Sequence, residues 1–287
     1  MWVQLNDRLV DEREALVSVF DRGFMYGDGV FETFRAYQGT GFRIGAHLDR
    51  LAGAAASLGF DLPRTASEIR RDVRSVLAKN QLEDGVIRIS VSRGRGGRGP
   101  GVEGVSGPTW VVAAWPLPED LGERRRRGWR LATVPTRRLH PSTLPAGAKL
   151  ANYLNSVMAR SEAAGSGADE GLMLTVDGML AECATANFVF VCGDAVCTPS
   201  LDQGVLPGIT RALVLALARE TGIRTGEEAY PPGILEDASE AFVTNSLAGV
   251  QPVAAIDGRA YPVPGPLTAT LMEAYAACVL RETGGCH

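Results

Sequence analysis

A stretch rich in glycine and proline between two extended segments limits the folds open to this chain. The stretch SVSRGRGGRGPG, residues 90–101, places three glycines at the spacing of a dinucleotide-binding fingerprint. That fingerprint requires a strand before it and a helix that opens inside it. The strand is predicted at 86–92, but the glycines and prolines after Gly99 cannot hold a helix. The sequence thus predicts a pliant turn that displays three arginines: Arg93, Arg95 and Arg98.

The first 120 residues switch between a strand period and a helix period. Apolar and polar residues alternate in segments 2–10 and 29–44, and each segment contains a turn signal that predicts a hairpin. Segments 47–60 and 66–80 instead have the apolar spacing of amphipathic helices. We therefore predict an α+β domain over residues 1–120, with strands in hairpins and two helices on one face.

A second α/β domain is predicted over residues 129–287, after an arginine-rich interdomain linker at 121–128. An amphipathic helix is expected over 149–167, and short strands follow it. Another helix is expected directly after Pro207-Gly208, and a last one at the end of the chain. The sequence as a whole predicts a two-domain α/β protein.

Charge and composition exclude several classes of protein. The net charge of -4, without a basic stripe carrying aromatic residues, gives no reason to expect a nucleic-acid partner. No run of about 18 apolar residues occurs, which excludes a membrane span. The five cysteines form no CxxC pair and are accompanied by only three histidines, so no metal site is predicted. With a polar N-terminus that lacks a signal peptide, the chain is expected to be cytoplasmic.

Lysine is scarce in this sequence. Of the 29 basic residues only two are lysines, Lys79 and Lys149. Lys79 ends a polar helix and has the character of a surface residue. Lys149 stands at the start of a predicted helix, where the helix dipole disfavours a cation. A lysine retained in that place indicates a role for its amine, such as covalent attachment to a carbonyl group.

Several stretches together resemble the fold-type IV pyridoxal-phosphate enzymes, which form the class IV aminotransferase family. The stretches are DRGFMYGDGVFETFRAY (21–37), HLDRL (47–51), AKLANYLNSVMARSEA (148–163), DGMLAECATANFVFV (177–191), LPGITRALV (206–214) and TNSLAGVQPV (244–253). The resemblance covers nearly the whole chain, in order. It implies a two-domain α/β homodimer, like the D-amino-acid aminotransferases, with pyridoxal 5'-phosphate in the interdomain cleft.

The resemblance also implies which residues hold the cofactor. Lys149 would form a Schiff base with the cofactor aldehyde and move the substrate's α-proton. Glu182 would pair with the protonated pyridine nitrogen. Tyr153, predicted one helical turn beyond Lys149, would hydrogen-bond the cofactor's phenolate. The phosphate would be held by four residues: Arg50, Ile209, Thr210 and Ser246.

Recognition of a small-molecule carboxylate substrate is assigned by the same resemblance. The residues concerned are Phe31, Thr33, Arg98 and Asn245. Arg98 aligns with the arginine that holds a substrate carboxylate in D-amino-acid aminotransferases, and a guanidinium fork suits that role. Arg93, which ends a predicted strand, is expected to be structural.

The substrate loop and the TNSL segment favour one branch of the family. SRGRGGRG resembles the loop of 4-amino-4-deoxychorismate lyases, and Asn245 stands where those enzymes carry an asparagine. We therefore predict a lyase that gives 4-aminobenzoate and pyruvate in folate synthesis. Two alternatives stay open. The first is an aminotransferase of the D-amino-acid or branched-chain type that uses 2-oxoglutarate or glutamate, and the second is a non-catalytic homologue that binds the cofactor.

Overall fold

The computed structural model describes residues 1–145 and 147–284 of the chain, which form two compact units. The first unit is built from Met1–Leu117 and Ala148–Tyr153, together with residues 281–284. The second unit is built from Pro118–Gly147 and Leu154–Leu280. The short segment 148–153, which follows the predicted linker in the sequence, groups with the first unit in this division.

The first unit contains one antiparallel sheet. Its strands are β1 (Trp2–Leu5), β2 (Arg8–Asp11), β3 (Gly29–Tyr37), β4 (Thr40–Gly41), β5 (Gly85–Ser92) and β6 (Trp110–Trp115). They pair in the order β2-β1-β6-β5-β3-β4, and every pair is antiparallel. The two hairpins predicted near the N-terminus are β1–β2 and β3–β4. Residues 93–109, which we call the arginine loop, join β5 to β6 without a helix, as the sequence predicts.

Three helices belong to this unit: α1 (Arg22–Tyr26), α2 (Ile44–Ser57) and α3 (Ala66–Lys79). Alternation along β3 separates the two faces of the sheet. Val30 and Phe34 are fully buried in a core with Leu51 of α2 and Val76 of α3. Both longer helices therefore pack on one face, as predicted. The other face of β3 carries Phe31 and the residues that alternate with it.

The second unit contains a mixed sheet of nine strands. They are β7 (Trp129–Thr133), β8 (Glu170–Leu174), β9 (Leu180–Cys183), β10 (Asn187–Cys192), β11 (Ala195–Pro199), β12 (Arg224–Glu228), β13 (Ala238–Asn245), β14 (Gly249–Ile256) and β15 (Arg259–Ala260). The order is β12-β11-β10-β13-β14-β7-β8-β9, with β15 on β14. The helices are α4 (Leu121–Arg127), α5 (Leu154–Gly165), α6 (Ile209–Glu220) and α7 (Pro266–Thr283). No helix in the described ranges is long and apolar enough to cross a membrane.

The predicted linker at 121–128 contains α4 instead of an irregular connection. Its arginines find acceptors on the same unit: Arg125 donates to the carbonyl of Ala248, and Arg127 pairs with Asp169 at 2.5 Å. The arginine-rich segment is thus held partly by tertiary hydrogen bonds within the second unit.

The helix predicted from Lys149 begins only at Leu154. Residues before it pair with β3: the Phe31 amide donates to the Lys149 carbonyl at 3.0 Å, and the Ala151 amide donates to the Gly29 carbonyl at 2.8 Å. These carbonyl and amide groups are consequently unavailable for a helical turn. The prediction that Lys149 opens a helix is wrong, because tertiary strand pairing overrides the helical period of the sequence.

One glycine of the arginine loop combines a positive φ with a close neighbour where a side chain would begin. Gly94 has φ of 109°, and a Cβ atom there would lie 2.5 Å from the Ser106 carbonyl oxygen. Gly97, three residues along the loop, has no neighbour within 4 Å of such an atom. We predict that Gly94→Ala lowers the free energy of unfolding by about 2 kcal/mol or more through strain.

Gly97→Ala is the matched control, and it should change the free energy of unfolding by less than about 0.5 kcal/mol. Urea denaturation of both variants would measure the difference. Equal stability of the two would show that the hairpin connection between β5 and β6 is not folded in this way.

Candidate active site

Lys149 lies beside two aromatic rings of the first unit. Its Nζ is 4.5 Å from the ring centre of Phe31 and 5.4 Å from that of Tyr153. The two rings pack edge to face with their centres 5.2 Å apart. Pairing with β3 fixes the backbone from Lys149 to Ala151. The structure therefore brings together Phe31, Lys149 and Tyr153, three residues predicted from the sequence.

Tyr153 lies near Lys149, but for a structural reason different from the one that the sequence predicts. The two residues are not a helical turn apart, because 148–153 is an extended segment that precedes α5. Leu150 forms an isolated bridge with Val30. The closeness of the two side chains follows from the packing of Tyr153 on Phe31.

Arg88 is a residue of this group that the sequence analysis did not identify. It lies on β5 directly opposite Thr33, and its guanidinium carbon is 3.9 Å from the ring centre of Phe31. Its Nε donates to the Ser90 hydroxyl at 3.2 Å. Burial lowers the pKa of Arg88, and the nearby Tyr153 partly offsets this. The signal for this residue was an arginine between two buried isoleucines in the strand VIRISVS.

Arg50 belongs to a buried charge network on the opposite face of β3. Its Nε and one terminal nitrogen donate to the two carboxylate oxygens of Glu32 at 2.7 and 2.8 Å. His47 Nδ1 lies 2.7 Å from Glu32 and donates to it, since an ionised carboxylate can only accept. Glu32 is fully buried. The network fixes the plane of the Arg50 guanidinium.

Two pKa shifts follow from this network. Burial opposes ionisation of Glu32, but hydrogen bonds from His47 and Arg50 outweigh it and hold the pKa of Glu32 below its ordinary value. Burial lowers the pKa of His47, and the charges of Arg50 and Lys149 lower it further. Together they outweigh Glu32, whose hydrogen bond and charge raise the pKa of His47. Glu32 is therefore a carboxylate and His47 a neutral imidazole at neutral pH.

Glu182 is buried in the second unit at the end of β9. One of its carboxylate oxygens accepts from the Asn187 side chain at 2.9 Å and from the Leu206 amide at 3.0 Å. The other lies 3.0 Å from Nε of Arg138. Three donors therefore orient this carboxylate. Asn187 and Arg138 are further residues that the sequence analysis did not identify, since neither lies near Glu182 by helix or strand period.

The start of α6 packs closely against the Asn187 side chain. Gly208 caps the helix without a side-chain hydrogen bond, and Thr210 in the first turn is buried. A Cβ atom at Gly208 would lie 1.9 Å from the Asn187 side-chain oxygen. The amides of Ile209 and Thr210 stand at the positive end of the helix, which favours an anion.

Asn245 and Ser246 lie in the turn between β13 and β14. The Asn245 side-chain oxygen accepts from the amides of Leu247 at 3.0 Å and Ala248 at 2.8 Å. Asn245 therefore shapes the backbone around Ser246. In this structure its side-chain oxygen supports the turn, whereas the sequence analysis assigned Asn245 to substrate.

Arg98 lies on the exposed arginine loop, and its carbonyl accepts from the Tyr26 hydroxyl at 3.3 Å. Arg93 has the structural role expected of it: its Nε donates to Asp28 at 2.9 Å and a terminal nitrogen donates to the Leu58 carbonyl at 2.7 Å. No cluster of three or more metal-ligating side chains occurs within 1–145 and 147–284. Cys286 and His287 lie outside the described residues.

The family model for class IV amino-transferases matches residues 29–256. A putative branched-chain-amino-acid aminotransferase of Methanocaldococcus jannaschii is 42% identical over 259 residues, covering 90% of this chain and 89% of the relative. The D-alanine aminotransferase of Bacillus licheniformis is 32% identical and covers 99% of both chains. The aminodeoxychorismate lyase of Bacillus subtilis is 31% identical, covering 99% of this chain and 97% of its own. The chain belongs to the class IV aminotransferase family.

Solved structures agree with this assignment. The branched-chain aminotransferase of Thermoproteus uzoniensis with norvaline superposes with a TM-score of 0.91 at 36% identity, covering 98% of this chain and 95% of that one. A branched-chain aminotransferase solved with pyridoxamine 5'-phosphate gives a TM-score of 0.90 at 30% identity, covering 98% and 94%. The α/β fold predicted from the sequence is confirmed. The protein is an enzyme that depends on pyridoxal phosphate, so the non-catalytic alternative is set aside.

The residues of this chain fit that cofactor. Glu182 is a buried carboxylate held by three hydrogen-bond donors, as a partner of a pyridine nitrogen requires, and Lys149 supplies an amine for a carbonyl group. The lyase predicted from the sequence is not confirmed, because branched-chain aminotransferases match the chain at higher identity than the lyase does. The comparisons favour the alternative interpretation of the sequence, an aminotransferase.

The lowered pKa of His47 predicts how stability depends on pH. In the unfolded chain this imidazole has a pKa of about 6.5, whereas its pKa in the folded protein is lower. Just below pH 6.5 the unfolded state therefore binds a proton that the folded state does not bind. Stability should therefore fall as the pH decreases through about 6.5, with a contribution of at most about 1.4 kcal/mol per pH unit.

The slope is measured by urea denaturation at pH 7.5, 6.5 and 5.5. His47→Gln should flatten the slope, whereas the matched change at the exposed His140 should leave it as in the wild type. If His47→Gln and wild-type protein have the same slope, His47 is not held neutral by its surroundings.

Proposed function

We propose that the protein is an aminotransferase that moves the amino group of a branched-chain amino acid to 2-oxoglutarate. The observation that carries this proposal is the 42% identity, over nine-tenths of the chain, to a putative branched-chain-amino-acid aminotransferase. The group around Phe31 supports it, because an aromatic wall suits an apolar side chain and Arg88 suits a carboxylate. Two substrates of different polarity thus have matching groups on one face of the sheet.

The roles of the cofactor-binding residues are proposals that rest on the family and on their surroundings. When bound, pyridoxal phosphate supplies a carbonyl group for the amine and a ring that accepts electrons. Lys149 holds the cofactor covalently and then carries the proton to and from the substrate's α-carbon. Glu182 keeps the ring nitrogen protonated, with Asn187 and Arg138 fixing its direction.

Other residues are proposed to bind the phosphate and phenolate groups of the cofactor. Arg50, oriented by Glu32, supplies charge for the phosphate, and the amides at the start of α6 supply hydrogen bonds. The residues proposed for this group are Arg50, Ile209, Thr210 and Ser246. Tyr153 is proposed to donate its hydroxyl proton in a hydrogen bond to the phenolate.

Four residues are proposed to meet the substrate. Phe31 and Thr33 lie on one face of β3, and the Phe31 ring contacts Lys149. Arg88 lies beside them on β5. Arg98 is proposed to meet a carboxylate from the arginine loop.

A lyase acting on 4-amino-4-deoxychorismate is the second candidate. The loop SRGRGGRG and Asn245 favour it, as does the relative from Bacillus subtilis at 31% identity. The cytoplasmic location stays a prediction from the sequence.

The activity is tested with purified enzyme loaded with pyridoxal phosphate. We expect glutamate to form from 2-oxoglutarate with L-leucine, L-isoleucine or L-valine as donor, at many turnovers per enzyme. D-alanine as donor tests the D-amino-acid alternative. Incubation with 4-amino-4-deoxychorismate, followed by assay for 4-aminobenzoate and pyruvate, tests the lyase. Equal amounts of those two products without glutamate formation would overturn the proposal.

Arg88 provides a specific test of how the enzyme binds 2-oxoglutarate, the proposed amino-group acceptor. We predict that Arg88→Met raises KM for 2-oxoglutarate by about 10-fold to 100-fold, since one hydrogen bond to a charged group is lost. KM for L-leucine should change far less, because this substrate carries no second carboxylate. Steady-state kinetics with each substrate varied in turn measure both values.

Arg35 offers the matched control, since its guanidinium carbon stacks 4.2 Å from the ring centre of Tyr37 on the same strand face. Arg35→Met should leave the ratio of the two KM values unchanged. A parallel rise of both KM values in Arg88→Met would assign Arg88 to the structure of the sheet instead of the acceptor.

We also propose that two copies of this chain associate through an apolar surface around α1. Leu16 is 80% exposed, Phe24 76%, Val19 65% and Phe20 51%. Side chains of this size rarely cluster in solvent on a monomeric protein. A second copy is the occupant that the resemblance to homodimeric enzymes implies.

Phe24→Glu should convert the protein to monomers, because a carboxylate at the centre of an apolar interface loses its hydration. Light scattering after gel filtration measures the mass. Val176→Glu, at a single exposed apolar residue in the second unit, is the control and should keep the wild-type mass. A wild-type protein that runs as one chain would contradict the proposed dimer.

A further inference from the structure

Arg22 has a buried guanidinium to which the proposed mechanism gives no role. The residue opens α1 and is only 3% exposed. A charged side chain is seldom buried to this extent unless its hydrogen-bond donors have partners. The partners of Arg22 therefore indicate what it holds in place.

The guanidinium donates hydrogen bonds to three consecutive carbonyl groups at the tip of the arginine loop. One terminal nitrogen donates to the carbonyls of Gly99 at 3.2 Å and Gly101 at 2.9 Å. The other donates to the carbonyl of Pro100 at 2.9 Å. With the Asp28 carboxylate, to which Nε donates at 2.7 Å, the guanidinium has four acceptors. A lysine ammonium has only three N–H donors on one nitrogen, so it could not replace the arginine.

The base of the same loop is held by the residue before Arg22. Asp21 accepts from the hydroxyls of Ser92 at 2.7 Å and Thr109 at 2.6 Å, which stand at the two ends of the loop. The Arg22 amide donates to the Gly94 carbonyl at 2.9 Å. Asp21 and Arg22 thus fix the loop at its base and at its tip.

The loop needs such support because of its composition. Seven of its 17 residues are glycine, and glycine loses more conformational entropy on ordering than any other residue. Arg98 directly precedes the three carbonyls that Arg22 binds. Its own carbonyl accepts from Tyr26 at 3.3 Å, so the backbone of Arg98 is held while its side chain is exposed.

Asp28 connects this support to the strand that carries the aromatic group. Its carboxylate accepts from Nε of Arg22 at 2.7 Å and from Nε of Arg93 at 2.9 Å. Burial opposes ionisation of Asp28, but hydrogen bonds from Arg93 and Arg22 outweigh it and lower its pKa. Asp28 immediately precedes β3, whose Gly29 accepts from the amide of Ala151, two residues after Lys149. The loop tip is therefore joined to the segment of the lysine through Arg22, Asp28 and the main chain from Asp28 to Gly29.

We infer that Arg22 is a positioning residue for substrate recognition, which sets the direction in which the arginine loop presents Arg98 to a substrate carboxylate. The inference rests on the proposed role of Arg98 in binding substrate. Arg22 touches neither substrate nor cofactor. Its effect is transmitted through the carbonyls of residues 99–101.

The test compares Arg22→Lys and Arg22→Met with wild-type holoenzyme, and Arg8→Met serves as the control that removes an exposed arginine of the same unit. Hydrogen exchange measured by mass spectrometry should be about 10-fold faster for amides 94–107 in both Arg22 variants and unchanged in β3 and β5. Lysine should not restore protection, because its three N–H donors on one nitrogen cannot serve the three carbonyls and Asp28 together. Unchanged exchange in the loop would overturn the inference.

Kinetics separate positioning from a merely structural role. Both Arg22 variants should raise KM for the carboxylate substrate by about 10-fold, with kcat within about 2-fold and unchanged affinity of the apoenzyme for pyridoxal phosphate. In the double variant with Arg98→Met, KM should equal that of Arg98→Met alone, since the two residues act as one unit. Independent, multiplying effects would overturn the inference.

The single variant Arg98→Met distinguishes failure of this inference from failure of the proposed role. If Arg98→Met leaves KM unchanged, Arg98 does not bind substrate and the positioning role falls with it. If Arg98→Met raises KM but the Arg22 variants do not, only the inference about Arg22 falls. Should Arg22→Met fail to fold, Asp28→Asn removes the charge that anchors the same guanidinium and is measured in the same way.

Discussion

Two main-chain hydrogen bonds between β3 and the segment around Lys149 determine where the chemistry of this enzyme is placed. They join Phe31 to Lys149 and Ala151 to Gly29. Through them the lysine is fixed by the same strand whose alternate side chains face opposite sides of the sheet. Phe31 faces the lysine, and Glu32, one residue further, turns towards α2 and orients Arg50. One strand therefore sets both the amine and the charge network.

Arginine and lysine have different structural roles in this protein. Planar guanidinium groups of buried or half-buried arginines hold carboxylates and carbonyls: Arg22 holds the loop tip, Arg50 pairs with Glu32, and Arg138 pairs with Glu182. Several donors in a rigid fork make these contacts directional. Lysine, whose ammonium forms no such fork, is reserved for two positions, of which Lys79 rests on the ring of Trp2.

The sequence predicted much of the fold because local patterns and local structure agree in most of the chain. The hairpins at the N-terminus, the helices α2 and α3, the helix after Gly208 and the terminal helix α7 all form where the periodicity indicates. The glycines and prolines of the arginine loop excluded a helix there, and none forms. Motifs in separated stretches were sufficient to identify the family, since each depends on residue types at fixed spacing.

Tertiary structure alone decided the features that depend on residues distant in the chain. The helical period around Lys149 continues through residues that instead pair with β3, because strand pairing offers their backbone groups equivalent hydrogen bonds. Arg88, Asn187 and Arg22 gained their places beside Phe31, Glu182 and the loop tip only through packing. The sequence by itself determined the residue types, the local periodicities and the cofactor class. The environment of each charge was decided by the fold, because burial and hydrogen-bond partners come from segments that sequence distance does not relate.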